Sequence, residues 1–153
     1  YCLVATAKRD FPNLQGRRLL SVVLGAASES ARATAAQKLL NWGYTAYEGL
    51  KLFDAGKPVA SPRVWKGKTS ELKLGRNEPI VVAVPTGTAA QVKTEIARPD
   101  PLIAPFKKGQ TVATLKIKQG DQTLGEVPLV ALDGVEESGF FGRAWDAMRL
   151  WIQ

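Results

Sequence analysis

Thr111-Val112-Ala113-Thr114-Leu115-Lys116-Ile117-Lys118 and, after Gly120, Thr123-Leu124-Gly125-Glu126-Val127-Pro128-Leu129-Val130-Ala131 form the stretch whose reading decides the fold. In Leu115-Lys116-Ile117-Lys118 apolar and charged residues alternate, the pattern of a strand with one buried and one solvated face. Gly120 and Asp121 separate the two runs as turn residues. Toward the N-terminus the same reading extends to Gln91–Ala97, Ile80–Val84 and Glu71-Leu72-Lys73-Leu74. Before them, Val59–Trp65 and Leu50-Lys51-Leu52-Phe53 flank the turn signal Asp54-Ala55-Gly56-Lys57. Gly75, Pro79, Pro85, Gly87, Pro99, Pro101, Pro105 and Gly109 punctuate the intervals. About six or seven short strands at this spacing predict an all-β, sandwich-like domain or small barrel over residues 48–136.

The first 47 residues read differently. Tyr1–Lys8 and Arg17–Gly25 are strand-like, with the polar, turn-rich Asp10–Gly16 between them as a hairpin loop. Ser28 or Ser30 can cap the helix that follows. Its apolar positions are Ala35, Leu39, Leu40, Trp42, Tyr44 and Tyr47, and Gly43 is a weak point. The second strand is apolar on both faces, so it calls for neighbours that this chain does not supply. The chain does not begin with Met, and its first residues enter a strand pattern without a basic leader. It is expected to be a piece of a longer protein.

Residues 137–153 change character again. In Phe140–Gln153, positions 141, 144, 145, 148 and 152 share one face of a helix, and Arg143, Asp146 and Arg149 lie opposite or on its flank. At 1.5 Å per residue the segment spans roughly 21 Å, too short for a bilayer core of about 30 Å. Aromatic residues on one face suit the headgroup boundary, with Phe140, Phe141, Trp145, Met148, Trp151 and Ile152 as the membrane-anchoring residues. The same pattern suits a helix docked on the domain or on a partner.

Composition excludes several functions. The chain has 153 residues, 45% of them hydrophobic and 23% charged, which describes a folded protein. It contains no histidine and one cysteine, so Cys/His metal sites are excluded by count, and no metal or cofactor is expected. The net charge of +7 is spread as single residues along strands, without the basic–aromatic interleaving that stacks bases. No nucleic-acid partner is expected.

Few residues point to chemistry. Ser28 and Ser30 have no histidine to activate them and are better explained as helix caps. Glu136-Glu137 are expected to cap the tail helix, and Asp121 and Asp133 to sit in turns. Pro85-Thr86-Gly87-Thr88 lacks the length and the lysine of a phosphate loop. Cys2 is expected to be a small buried residue. Arg32, in the first turns of the helix, could reach a substrate carboxylate or be a solvated surface arginine.

Several ordered motifs resemble one family. Tyr1–Lys8, Leu19-Leu20-Ser21-Val22-Val23-Leu24-Gly25 and Gln37-Lys38-Leu39-Leu40-Asn41-Trp42-Gly43 resemble the end of the catalytic domain of low-molecular-mass penicillin-binding proteins, the serine-type D-alanyl-D-alanine carboxypeptidases. Pro62-Arg63-Val64-Trp65-Lys66-Gly67, Ala104-Pro105-Phe106-Lys107-Lys108-Gly109-Gln110 and Gly125–Leu132 resemble their C-terminal β-domain, and Gly139–Asp146 their membrane-attachment tail. The resemblance implies an α+β fragment with three parts. Residues 1–47 give two strands and a helix from a penicillin-binding/β-lactamase-like catalytic domain, 48–136 an all-β sandwich-like stalk domain, and 137–153 an amphipathic anchor helix.

It also implies that the family's nucleophile-and-base Ser-x-x-Lys, its Ser-x-Asn element and its Lys-Thr-Gly strand lie before Tyr1, leaving no catalytic residue in this chain. Arg32 matches a family arginine near the terminal carboxylate of the D-Ala-D-Ala stem peptide. The implied partners are peptidoglycan stem peptides, β-lactams and a membrane surface. The implied location is the periplasm, at the outer face of the inner membrane. The tail carries two Lys/Arg and two Asp/Glu, so apolar area rather than anionic lipid would hold it. The competing reading is a non-enzymatic module that binds another cell-wall protein or glycan.

Overall fold

The structure is a computed structural model, and it describes residues 1–139. The expected anchor helix, with Phe140, Phe141, Trp145, Met148, Trp151 and Ile152, lies outside the described residues. Two compact units emerge. One holds Tyr1–Lys51 with Val81–Gln91, and the other holds Leu52–Ile80 with the described residues from Val92 onward.

In the first unit, β1 (Leu3–Phe11) and β2 (Leu14–Val23) pair antiparallel, with Val4 opposite Val22 and Ala5 opposite Ser21. The expected Asp10–Gly16 loop is corrected to a two-residue turn. Asp10 Oδ1 accepts from Gly16 N at 2.6 Å, and Gly16 takes φ +70°, so the polar residues stay in the ladder. Helix α1 (Glu29–Ala46) starts where expected, because Ser28 is extended and its Oγ accepts from Ala31 N at 3.1 Å.

The helix packs on both strands. Gly43 lets the helix approach β2 closely, since a Cβ there would stand 2.8 Å from Leu19 Cδ1 and the leucine would have to turn aside. Tyr44 is buried, with its Oη 2.6 Å from Ala7 O and 3.2 Å from Arg17 O. Arg17 donates to Gly43 O and Tyr47 O at 3.0 and 2.8 Å, satisfying carbonyls that the helix end leaves open. Pro85-Thr86-Gly87-Thr88 serves the same end: Thr86 N donates to Ala46 O, and Gly87 N to the Glu48 carboxylate.

Strand β3 (Tyr47–Phe53) leaves the helix, and later pairs with β7 (Ile80–Pro85). Between them lie β4 (Pro58–Ala60), β5 (Val64–Trp65) and β6 (Leu74–Gly75). After β7 come a 3₁₀ turn (Ala89–Gln91), β8 (Val92–Ala97), β9 (Leu102–Ile103), β10 (Thr111–Gln119) and β11 (Gln122–Ala131).

The second unit is built on a five-stranded sheet in the order β4-β6-β11-β10-β8, with β5 and β9 as a separate parallel pair. Along β10 the alternation holds: Ala113, Leu115 and Ile117 are buried with Leu74 and Leu129. Lys116 and Lys118 face outward and pair with Glu126 and Glu95 on the strands at either side. The protein is mostly β with one described helix, and the expected sandwich-like β-domain is borne out in this coarse form.

Candidate functional site

Arg32 sits where α1 and the start of β1 meet. Gly25 takes φ +68°, turning the chain after β2, and Ala26 N donates to Tyr1 O at 2.8 Å. Ser28 O accepts from Arg32 N at 3.1 Å, which sets Arg32 in the first turn. The guanidinium donates to Cys2 O at 3.1 Å and to Glu29 Oε1 at 2.9 Å, and lies 5.8 Å from the Tyr1 ring centroid. Its side chain remains 30% exposed. A guanidinium has five N–H donors in a fixed fork, so donors remain for an incoming carboxylate after these two bonds. The neighbouring Ser28 and Ser30 hydroxyls touch each other at 3.1 Å, and no lysine is hydrogen-bonded to either among the described residues.

Two expectations are corrected here. Cys2 is exposed rather than buried, because alternation puts it on the face of Val4 and Thr6, away from α1. The tail helix that Glu136-Glu137 are expected to cap lies outside the described residues; Glu136 is ion-paired with Lys68, and Glu137 lies in a bridge with Gly67. The expectation that no Ser-x-x-Lys occurs in the chain is also corrected, since Ser70-Glu71-Leu72-Lys73 is such a quartet. Its backbone is not helical, Leu72 is fully buried, and Lys73 Nζ lies 3.6 Å from Asp133. No hydrogen bond joins Ser70 to Lys73 among the described residues, so the quartet is not an activated serine.

Sequence reasoning anticipated that the second strand needs neighbours, but not their extent. The ladder face away from α1 presents Val4 at 63% exposure, Leu20 at 63% and Val22 at 52%. Leu24, Leu39 and Trp42 are also exposed, and a groove of about 360 Å³ runs between Leu20, Val22, Leu39 and Trp42. The second unit exposes one large apolar residue among those described, Ile103. An apolar area concentrated on one unit marks a contact surface.

Residues 47–137 match the family described as penicillin-binding protein 5, C-terminal domain. The chain belongs to that family. The expected membership of the low-molecular-mass penicillin-binding proteins is thereby borne out. The chain is 37% identical over 147 residues to the D-alanyl-D-alanine carboxypeptidase DacC of Escherichia coli K12, covering 95% of this chain and 36% of that protein. It is 31% identical over 154 residues to DacA of Haemophilus influenzae, covering 100% of this chain and 38% of the relative. The solved structure of penicillin-binding protein 5 from Haemophilus influenzae superposes with a TM-score of 0.80 at 30% identity, over 90% of this chain and 39% of that one. The chain thus spans little more than a third of the curated relatives it matches.

Proposed function

We propose that this chain is the C-terminal region of a serine-type D-alanyl-D-alanine carboxypeptidase that trims peptidoglycan stem peptides in the periplasm. The observation that carries the reading is the 37% identity to a carboxypeptidase of that name across 95% of this chain. The apolar face of Val4, Leu20 and Val22 supports it, since the remainder of a catalytic domain would cover that face and remove it from water.

In this reading a serine outside the chain attacks the carbonyl of the penultimate D-alanine. The peptide bond breaks, terminal D-alanine leaves, and water hydrolyses the acyl-serine ester. A β-lactam acylates the same serine. Arg32 forks onto the substrate's terminal carboxylate, with Glu29 and Cys2 O holding its orientation. Residues 1–47 complete the catalytic domain, 48–136 form the stalk, and 137–153 rest on the outer face of the inner membrane through Phe140, Phe141, Trp145, Met148, Trp151 and Ile152. No described helix is long and apolar enough to cross a membrane. The test is D-alanine release from a short soluble peptide ending in D-Ala-D-Ala by the full-length protein. Release is expected, and its absence from folded protein overturns the reading.

A further inference from the structure

Three segments far apart in sequence deliver lysines to one cleft of the second unit. Lys57 closes the turn from Asp54, in which Gly56 takes φ +69° and donates its N–H to Arg76 O at 2.7 Å. Lys73 enters β6, and its carbonyl accepts from Leu132 N at 2.9 Å. Lys108 stands in a turn closed by Gln110 N on Lys107 O at 3.0 Å and by Gly109 N on Ala131 O at 2.8 Å. All three backbones are therefore pinned before any ligand arrives.

The cleft has a volume of about 390 Å³ and is also lined by Asn77, Leu132 and Asp133. Asp133 is its one carboxylate, 3.6 Å from Lys73 Nζ, so three cations against one anion leave it at +2. Three other lysines of this unit have carboxylate partners, Lys68 in Glu136, Lys116 in Glu126 and Lys118 in Glu95. Lys57, Lys108 and the Asn77 amide have no such partner among the described residues. Like charges converging on fixed backbone repel one another unless an anion joins them. The amide beside them can donate to or accept from a peptide group.

We propose that this cleft binds carboxylate-bearing peptide stems of the cell-wall polymer. The identity of the polymer rests on the proposed function, whereas the anion-binding geometry does not. The test is co-sedimentation of the full chain with purified peptidoglycan sacculi. The double variant Lys57→Gln/Lys108→Gln binds about five- to tenfold more weakly than the wild type. Lys38→Gln/Lys93→Gln, which removes the same charge from exposed lysines elsewhere, binds as the wild type does. Amidating the sacculus carboxylates abolishes the difference between wild type and the cleft variant.

Equal weakening by both doubles overturns the proposal, as does unchanged binding after amidation. So does dependence on Lys57 and Lys108 that shows only on phosphatidylglycerol vesicles. A full-length protein that releases no D-alanine while this chain still binds sacculi through Lys57 and Lys108 refutes the proposed activity and leaves the cleft standing.

Discussion

Replacing Gly75 with alanine tests how tightly the sheet of the second unit is closed. Gly75 lies in β6 between Pro58 of β4 and Val130 of β11, so neighbours constrain it on both sides. A Cβ there would meet Lys57 O at 2.6 Å and Leu132 Cδ1 at 2.8 Å. Leucine can rotate, but the carbonyl can retreat only by moving β4. Overpacking costs about 1–3 kcal/mol, and a backbone atom in the way puts this case near the upper end. The stiffer unfolded chain of the alanine variant offsets about 0.4–1 kcal/mol, leaving a net loss of about 2 kcal/mol.

Gly125 is the matched control: it lies in the same sheet, in β11, with no atom within 4 Å of its Cβ position and no left-handed φ. Gly125→Ala should be neutral or stabilising by up to about 1 kcal/mol. In thermal unfolding by circular dichroism, Gly75→Ala should lower the midpoint by about 8–16 °C, at roughly 4–8 °C per kcal/mol for a unit of this size. Amide exchange in β10 and β11 should accelerate with it. A Gly75→Ala midpoint within about 2 °C of Gly125→Ala refutes the packing argument.

Further predictions concern the site, the face and the surface charges. If the full-length protein is the proposed carboxypeptidase, Arg32→Ala should raise its KM or lower its kcat/KM for peptide substrate by about tenfold or more, the loss of a charged hydrogen-bond partner, and unchanged kinetics remove Arg32 from the proposed substrate site. Val22→Ser should leave the midpoint of this chain nearly unchanged while destabilising the full-length protein by about 1–2 kcal/mol; equal shifts in both mean that nothing covers the face. The Lys118 hydrogen bond and charge hold the Glu95 carboxyl below its ordinary 4.5. Its folded pKa is thus lower than its unfolded one, so its contribution is present above pH 4.5 and disappears as pH falls through the folded value. Glu95→Gln should therefore lose less stability than wild type on acidification through that window, and parallel curves contradict the assignment.

The β10–β11 pair was legible because period-two alternation coincides with one buried and one solvated face. Other features were not, for physical reasons. Val59–Trp65 reads as one run, yet Pro62 lacks an N–H and its carbonyl is taken by Leu72 N, so the chain divides into β4 and β5. The two-residue β9 is too short to show any period. Strand β7 was visible as a strand, but nothing in its residues says that Val81–Gln91 packs with the first unit. The first hairpin was read as a long loop because Arg9 and Asp10 are polar. In a two-stranded ladder with one open face, such residues remain in strand. Arg32 was legible as a candidate from its place after a helix cap, while its partner Cys2 O, 30 residues away, was not. The converging lysines were invisible for the same reason, since their turns meet only in the folded sheet.

Covalent labelling by a fluorescent penicillin, run side by side on the full-length protein and on this 153-residue chain, tests the central claim most directly. The full-length protein should carry the label on a serine outside this chain, and the chain itself should remain unlabelled. Label on the isolated chain, or none on folded full-length protein, contradicts the account.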